Sequence, residues 1–210
     1  MSGAARMQGP AGRLEAIYRV RPGARMAALL CHSHPQRGGS MYDALLHRIA
    51  CALHAAGVST LRFNFRGTGG SEGSFDGGVG EVEDVRAAID HAARDHAELI
   101  VLGFSFGAWV GLRAGSEDPR VARLVGLSAP VDAFDFSFLA AVSKPLLFVH
   151  ADRDEWGGLA TVQALAADLD HARVEVVSES DHFFRGRLDA AAAACVAFTT
   201  ASLVERGDPR

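Results

Sequence analysis

Ser105 stands in the run Gly103-Phe104-Ser105-Phe106-Gly107, with the apolar stretch Leu99-Ile100-Val101-Leu102 before it and a helical pattern after it. A serine on a sharp strand-to-helix turn has its hydroxyl lifted clear of a sheet, in position to attack an electrophilic carbon. Side chains two residues to either side would strike the neighbouring strand and helix, which makes Gly103 and Gly107 steric requirements of such a turn. The helix N-terminus beneath the serine would add backbone N–H groups and a partial positive charge, favouring an anion just above Ser105.

A serine hydroxyl needs an adjacent base, and the base needs a group to orient it. On a strand-turn-helix scaffold of this kind the chain order is serine, then acid, then histidine. Ala151-Asp152-Arg153-Asp154-Glu155 and Ser180-Asp181-His182-Phe183-Phe184 follow in that order, each after an apolar strand-like run. His182 is therefore the expected base. His47, His54, His91 and His96 fall on helical segments and His171 precedes a strand, where solvated or capping roles suffice. Either Asp152 or Asp154 could orient the imidazole while the other caps the loop or pairs with Arg153; Asp154 is favoured. Two donors are needed for an oxyanion, and the backbone N–H groups of Phe106 and His34 are the candidates, because Pro35 has none. Gly38 and Gly39 let that loop fold back closely. His32 and His34 invite a metal, but no third ligand lies at convincing spacing, so neither metal nor cofactor is expected. The glycines of Arg66-Gly67-Thr68-Gly69-Gly70-Ser71-Glu72-Gly73 miss a dinucleotide fingerprint, whose third glycine would fall on Glu72.

These residues must be held by alternating strands and helices. Residues 14–20 alternate in polarity as a strand with one solvated face, and 26–31 are continuously apolar, as in a strand covered on both faces. Strands at 59–65, 98–104, 121–128, 145–150 and 173–177 follow. Helices are expected from Ser40 and Asp43 to Gly57, at 81–94, at 106–115, within 159–169 and at 188–204. Such alternation implies an α/β chain with a largely parallel sheet and helices on both faces. Ligands of such sheets bind at the carboxyl ends of the strands, where Ser105, Asp154 and His182 all fall. With 210 residues and no linker, a single domain spanning 1–210 is expected, with flexible ends at 1–12 and 206–210.

Composition narrows the function. A net charge of −4 without basic runs argues against nucleic acid as a partner. Lys144 is the only lysine and sits at the entrance to a strand, so neither a phosphate-cradling lysine nor a Schiff base fits. Cys31, Cys51 and Cys195 form no Cys-x-x-Cys pair. No signal-like or membrane-spanning apolar run occurs, and a cytoplasmic monomer or homodimer acting on a small molecule, with no membrane partner, is expected.

Two stretches, Cys31-His32-Ser33-His34-Pro35 with Gly38-Gly39 and Phe63-Asn64-Phe65-Arg66-Gly67-Thr68-Gly69-Gly70-Ser71-Glu72-Gly73-Ser74-Phe75, together with the serine turn resemble the compact bacterial α/β-hydrolases related to dienelactone hydrolase. The resemblance implies an α/β-hydrolase fold with a minimal cap or none, no cofactor, and ester or related acyl substrates. Its His-Gly-x-x-Asp pattern places the acid on Asp154, with Ala151 where glycine is usual. Dienelactone hydrolase itself has cysteine where Ser105 stands.

The leading expectation is hydrolysis of a carboxylic ester or thioester through an acyl-Ser105 intermediate. Acyl transfer by the same residues, or a non-catalytic binding protein on this fold, are the alternatives. The connection 129–143 is too short for a large lid. Its Phe134, Phe136, Phe138 and Leu139, with Phe75, Phe183 and Phe184, are candidates to line a shallow apolar groove beside Ser105.

Overall fold

A computed structural model describes residues 3–201. Its eight strands are β1 (Gly3–Gly9), β2 (Gly12–Arg19), β3 (Met26–Cys31), β4 (Ser59–Phe63), β5 (Glu98–Phe104), β6 (Val121–Leu127), β7 (Leu146–Ala151) and β8 (Ala172–Val177). They form one sheet in the order β1-β2-β4-β3-β5-β6-β7-β8. β1 and β2 run antiparallel to their neighbours and the rest are parallel. Five helices connect or follow the strands: α1 (Ala44–Ala55), α2 (Val79–Ala92), α3 (Phe106–Glu117), α4 (Leu159–Ala167) and α5 (Leu188–Thr200).

The two-residue period of the strands divides the core. Leu29, Val101, Leu124 and Phe148 face the side of α2 and α3, while Leu30, Leu102, Val125 and Val149 face α1 and α5. All eight are fully buried, which is why these strands read as continuous apolar runs with no alternation. The chain order reverses at β3, whose neighbours are β4 and β5, so the crevice above the ends of β3 and β5 is the natural ligand site.

Residues 1–12 were expected to be a flexible end, yet from Gly3 onward they form β1, paired along its length with β2. Their Gly- and Ala-rich composition carries no period to mark a strand; the open edge of β2 supplies the pairing. The expected flexible end 206–210 lies outside the described residues, as do positions 202–204 of the last expected helix. Among the described residues no helix is long and apolar enough to cross a membrane. Lys144 donates from Nζ to the carbonyls of Gly115 (2.7 Å) and Asp118 (2.5 Å), closing the C-terminal end of α3.

Two buried polar contacts hold the loops at the carboxyl end of the sheet. Arg66, just after β4, forms a fork with Asp84 of α2, Nη2 to Oδ1 at 2.7 Å and Nε to Oδ2 at 3.0 Å, and its own N–H also donates to Asp84 (2.9 Å). His32, at the end of β3, donates from Nδ1 to the Ser33 carbonyl (2.7 Å) and accepts at Nε2 from the Phe65 N–H (3.0 Å), tying the loops after β3 and β4 together.

Each contact yields an expected outcome. Asp84→Asn leaves the buried Arg66 charge uncompensated and should cost about 3 kcal/mol or more in urea unfolding; a loss below about 1 kcal/mol would show the fork to be incidental. His32 is fully buried, and burial pushes its pKa down to about 4, only partly opposed by its bond to Ser33. The unfolded chain therefore takes up that proton first. Its stabilisation is complete above pH ~6.5 and is lost as the pH falls towards 4, by up to about 3 kcal/mol. Unfolding free energies of wild type and His32→Gln, measured from pH 7.5 to 4, should converge over that window; a constant offset would contradict it.

Candidate active site

At Ser105 the chain leaves β5 and enters α3 with φ 54° and ψ −121°, a left-handed conformation that a serine adopts only under constraint. The constraint is close packing. A Cβ on Gly103 would lie 2.1 Å from the Gly107 carbonyl oxygen, and one on Gly107 would lie 2.3 Å from the Cys31 carbonyl oxygen. The Ser105 N–H donates to the Leu127 carbonyl at 2.9 Å, fixing the turn against β6.

Ser105 Oγ is 3.0 Å from His182 Nε2, and His182 Nδ1 is 2.8 and 2.9 Å from the two carboxylate oxygens of Asp154. With Nδ1–H donating to Asp154, the Nε2 lone pair is free to accept the serine hydroxyl. The imidazole is buried beneath Phe104 and Phe183, with ring centroids at 5.4 and 5.2 Å, and Trp156 flanks it at 6.1 Å.

Asp152 and Asp154 are separated by their surroundings. The Asp154 side chain is fully buried, and its Oδ1 also accepts from the N–H groups of Trp156 (2.9 Å) and Gly157 (3.2 Å). Burial pushes its carboxyl up, but the bond and charge of His182 and the Trp156 N–H outweigh that, leaving it below the usual carboxylate range. Asp152 is exposed and accepts from the N–H groups of Ser180 (3.0 Å) and Glu179 (2.8 Å), which hold its carboxyl low as well. It staples the loop after β7 to the loop after β8 and makes no contact with His182.

The N–H groups of Phe106 and His34 have no acceptor among the described residues. Their rings sit 5.0 Å apart, which brings the loop after β3 over the start of α3. Gly39 allows that approach, since a Cβ there would meet the Ser33 carbonyl at 2.2 Å. His32 and His34 do not converge on a common point for a metal: both nitrogens of His32 are bound to backbone, and His34 Nδ1 accepts from the Gln36 N–H.

The expected aromatic groove divides into three. Phe75 and Phe134 are half-buried and gather with Phe106 and Trp109, the Phe134 and Trp109 rings stacking at 4.6 Å. Phe136 and Leu139 are buried at 4% and 0% exposure and do not line a groove; they pack the short 3₁₀ turn Ser137–Ala141 onto the core, with Phe138 stacked on Phe136. Phe183 lies on the His182 side, and Phe184 is wholly buried. Unforeseen from the sequence were Trp156, the ring of Phe104, and His150, whose Nε2–H donates to the Gly157 carbonyl (2.7 Å) 3.7 Å from Asp154. The last had a signal, since His150 opens the run that ends at Asp154.

Known proteins share this arrangement of the chain. Residues 28–208 match the alpha/beta hydrolase family. A serine hydrolase homologue from Coxiella burnetii is 34% identical, with a TM-score of 0.87 and coverage of 95% of this chain and 97% of its own. A serine hydrolase without a lid from Xanthomonas campestris is 31% identical, with a TM-score of 0.85 over 94% of this chain and 92% of its own. A protein of Rickettsia prowazekii described as uncharacterized is 36% identical over 191 residues, 84% of this chain and 80% of that one. With its mostly parallel sheet, its serine turn after β5 and these relatives, the chain belongs to the α/β-hydrolase family.

Proposed function

We propose that this protein is a serine hydrolase that cleaves small carboxylic esters or thioesters. The observation that carries the reading is the unbroken chain of hydrogen bonds from Ser105 Oγ through both nitrogens of His182 to the buried Asp154 carboxylate. His182 accepts the hydroxyl proton as Ser105 Oγ attacks the acyl carbon, and Asp154 orients the imidazole and stabilises the imidazolium. The N–H groups of Phe106 and His34, with no internal acceptor, are available to the oxyanion. His182 then returns the proton to the departing oxygen or sulfur. Water, deprotonated by the same imidazole, releases the acid from Ser105.

Ser105→Ala should keep the fold and lower turnover of 4-nitrophenyl acetate by about 10⁴-fold or more. Asp154→Asn should cost up to about 10⁴-fold and Asp152→Asn far less, because only Asp154 touches the imidazole. Similar losses in the two aspartate variants would remove Asp154 from this role.

The acyl chain is expected to lie along Phe75 and Phe134, which is a short surface now that Phe136 and Leu139 are seen to be buried. Each methylene buried is worth about 0.8 kcal/mol, so the gain should end after the first few carbons. A series of 4-nitrophenyl esters should peak between acetate and hexanoate. A kcat/KM still rising at laurate would show a deep tunnel in place of an open surface.

A further inference from the structure

A cavity of about 280 Å³ lies beside His182, between the loop after β3, the start of α1 and the start of α5. Its walls are apolar, formed by Leu45, Phe104, Phe183 and Leu188. Arg37 and Arg185 also line it, and each guanidinium lies over a ring that flanks the imidazole: Arg37 4.6 Å from the centroid of Trp156, Arg185 4.6 Å from that of Phe183. A guanidinium held over an aromatic face keeps its in-plane N–H donors for an anion, and this fork suits a carboxylate.

The formal charges around this cavity balance, Arg37 and Arg185 against Asp43 and Asp181, but they are not evenly placed. Arg37 has no carboxylate within ion-pair distance among the described residues, and Arg185 shares the Asp181 carboxylate at 2.7 Å. Asp43 also lines the cavity, but its two oxygens already accept from the Ser33 hydroxyl (2.9 Å), the Ser33 N–H and the Ser40 N–H (both 3.3 Å). Both arginines are exposed, so the donors a ligand would meet at the rim, above the apolar walls, are those of the two guanidinium groups.

The place of the cavity decides which part of a substrate it takes. In the proposed reaction the acyl oxygen turns towards the N–H groups of Phe106 and His34, and the departing atom faces His182 Nε2. Phe104 and Phe183 are at once walls of the cavity and neighbours of that imidazole. Resting on the hydrolase reading above, we propose that this cavity is a leaving-group subsite, selecting esters and thioesters whose alcohol or thiol portion has an apolar body ending in a carboxylate. The body lies against the apolar wall of Phe104, Phe183, Leu45 and Leu188, and the carboxylate meets Arg37 and Arg185. Its volume is just below the range of about 300–1,000 Å³ typical of drug-sized ligands, which limits the body to about one ring or a short chain. Attack by Ser105 Oγ forms the acyl-serine bond and breaks the acyl-oxygen bond, and the His182 proton moves to that oxygen, so the hydroxy acid leaves intact from this side.

The test compares 3-carboxy-4-nitrophenyl acetate with its 3-carboxamido analogue, two aryl acetates of the same shape that differ in charge. Wild-type kcat/KM should favour the carboxylate by about tenfold, the equivalent of about 1.4 kcal/mol. The preference should shrink as ionic strength rises, because the site is open to solvent. Arg37→Gln and Arg185→Gln should each reduce the ratio, and the double variant should bring it to about one; the ratio is read within each variant, so a general loss of activity does not affect it. Hydrolysis of both esters by wild type at equal kcat/KM, or a tenfold preference surviving in the double variant, would overturn the subsite and leave the hydrolase reading standing. Failure of wild type to hydrolyse either ester, together with any short 4-nitrophenyl ester, would instead overturn the hydrolase reading itself.

Discussion

The close approach of backbone to backbone around Ser105 is the constraint on which the rest of the candidate site depends. Gly103 and Gly107 bring the first turn of α3 against the ends of β3 and β5 to distances that no side chain would permit. That contact forces the left-handed conformation of Ser105, a strain of about 1–3 kcal/mol. It is offset locally by the bonds from the Ser105 N–H to Leu127 and from the Ala108 N–H to the Ser105 carbonyl. Loosening the contact would lower the hydroxyl towards the sheet and turn the first N–H groups of α3 away from the same point in space.

Around that fixed point the partner residues arrive on loops, and loops need their own fasteners. The two aspartates after β7 divide this work: one is dry and faces the imidazole, the other is wet and ties the loop after β8 through two of its N–H groups. The Arg153 N–H adds a third link, to the Ser180 carbonyl at 3.0 Å. On the other side of the serine, His32 and the Arg66–Asp84 fork do the same for the loops after β3 and β4. Apart from the Arg153 backbone link, each fastener uses a charged or titratable group bound by neighbouring backbone or by one opposite charge. The loops at this end of the sheet are thus fastened to one another by their own side chains and backbone.

How much of this could be read from the sequence follows from the range of each interaction. The β5 turn was legible because the Gly103–Gly107 clash acts within five residues, although Gly107 also answers to the distant Cys31 carbonyl, and the parallel sheet because buried strands announce themselves as apolar runs. The meeting of Ser105, Asp154 and His182 at one end follows from chain order and strand direction alone. β1 was not legible, since its Gly- and Ala-rich residues take their structure from the free edge of β2. Nor could the phenylalanines after β6 be sorted: Phe134 stays near the surface and Phe136 is buried two residues later because the chain tightens into a 3₁₀ turn, and no local pattern marks that turn. The pairing of Arg37 with Trp156 spans more than a hundred residues and is decided by where two loops end.

The short connection between β6 and β7 has a further consequence, in the entropy of the chain. Ahead of Phe136 it is held from outside by two bonds, from Trp109 Nε1 to the Asp135 carbonyl at 3.0 Å and from the Gly158 N–H to Asp132 Oδ2 at 2.7 Å, while its buried anchors Phe136 and Leu139 follow. Residues added ahead of Phe136 would leave both anchors seated, and each doubling of loop length costs only about 0.6 kcal/mol in closure entropy. The molecule therefore carries, beside the first turn of α3, a point where the chain can lengthen at a small cost in closure entropy, which makes a covering domain an accessible addition to this architecture and not a redesign of it.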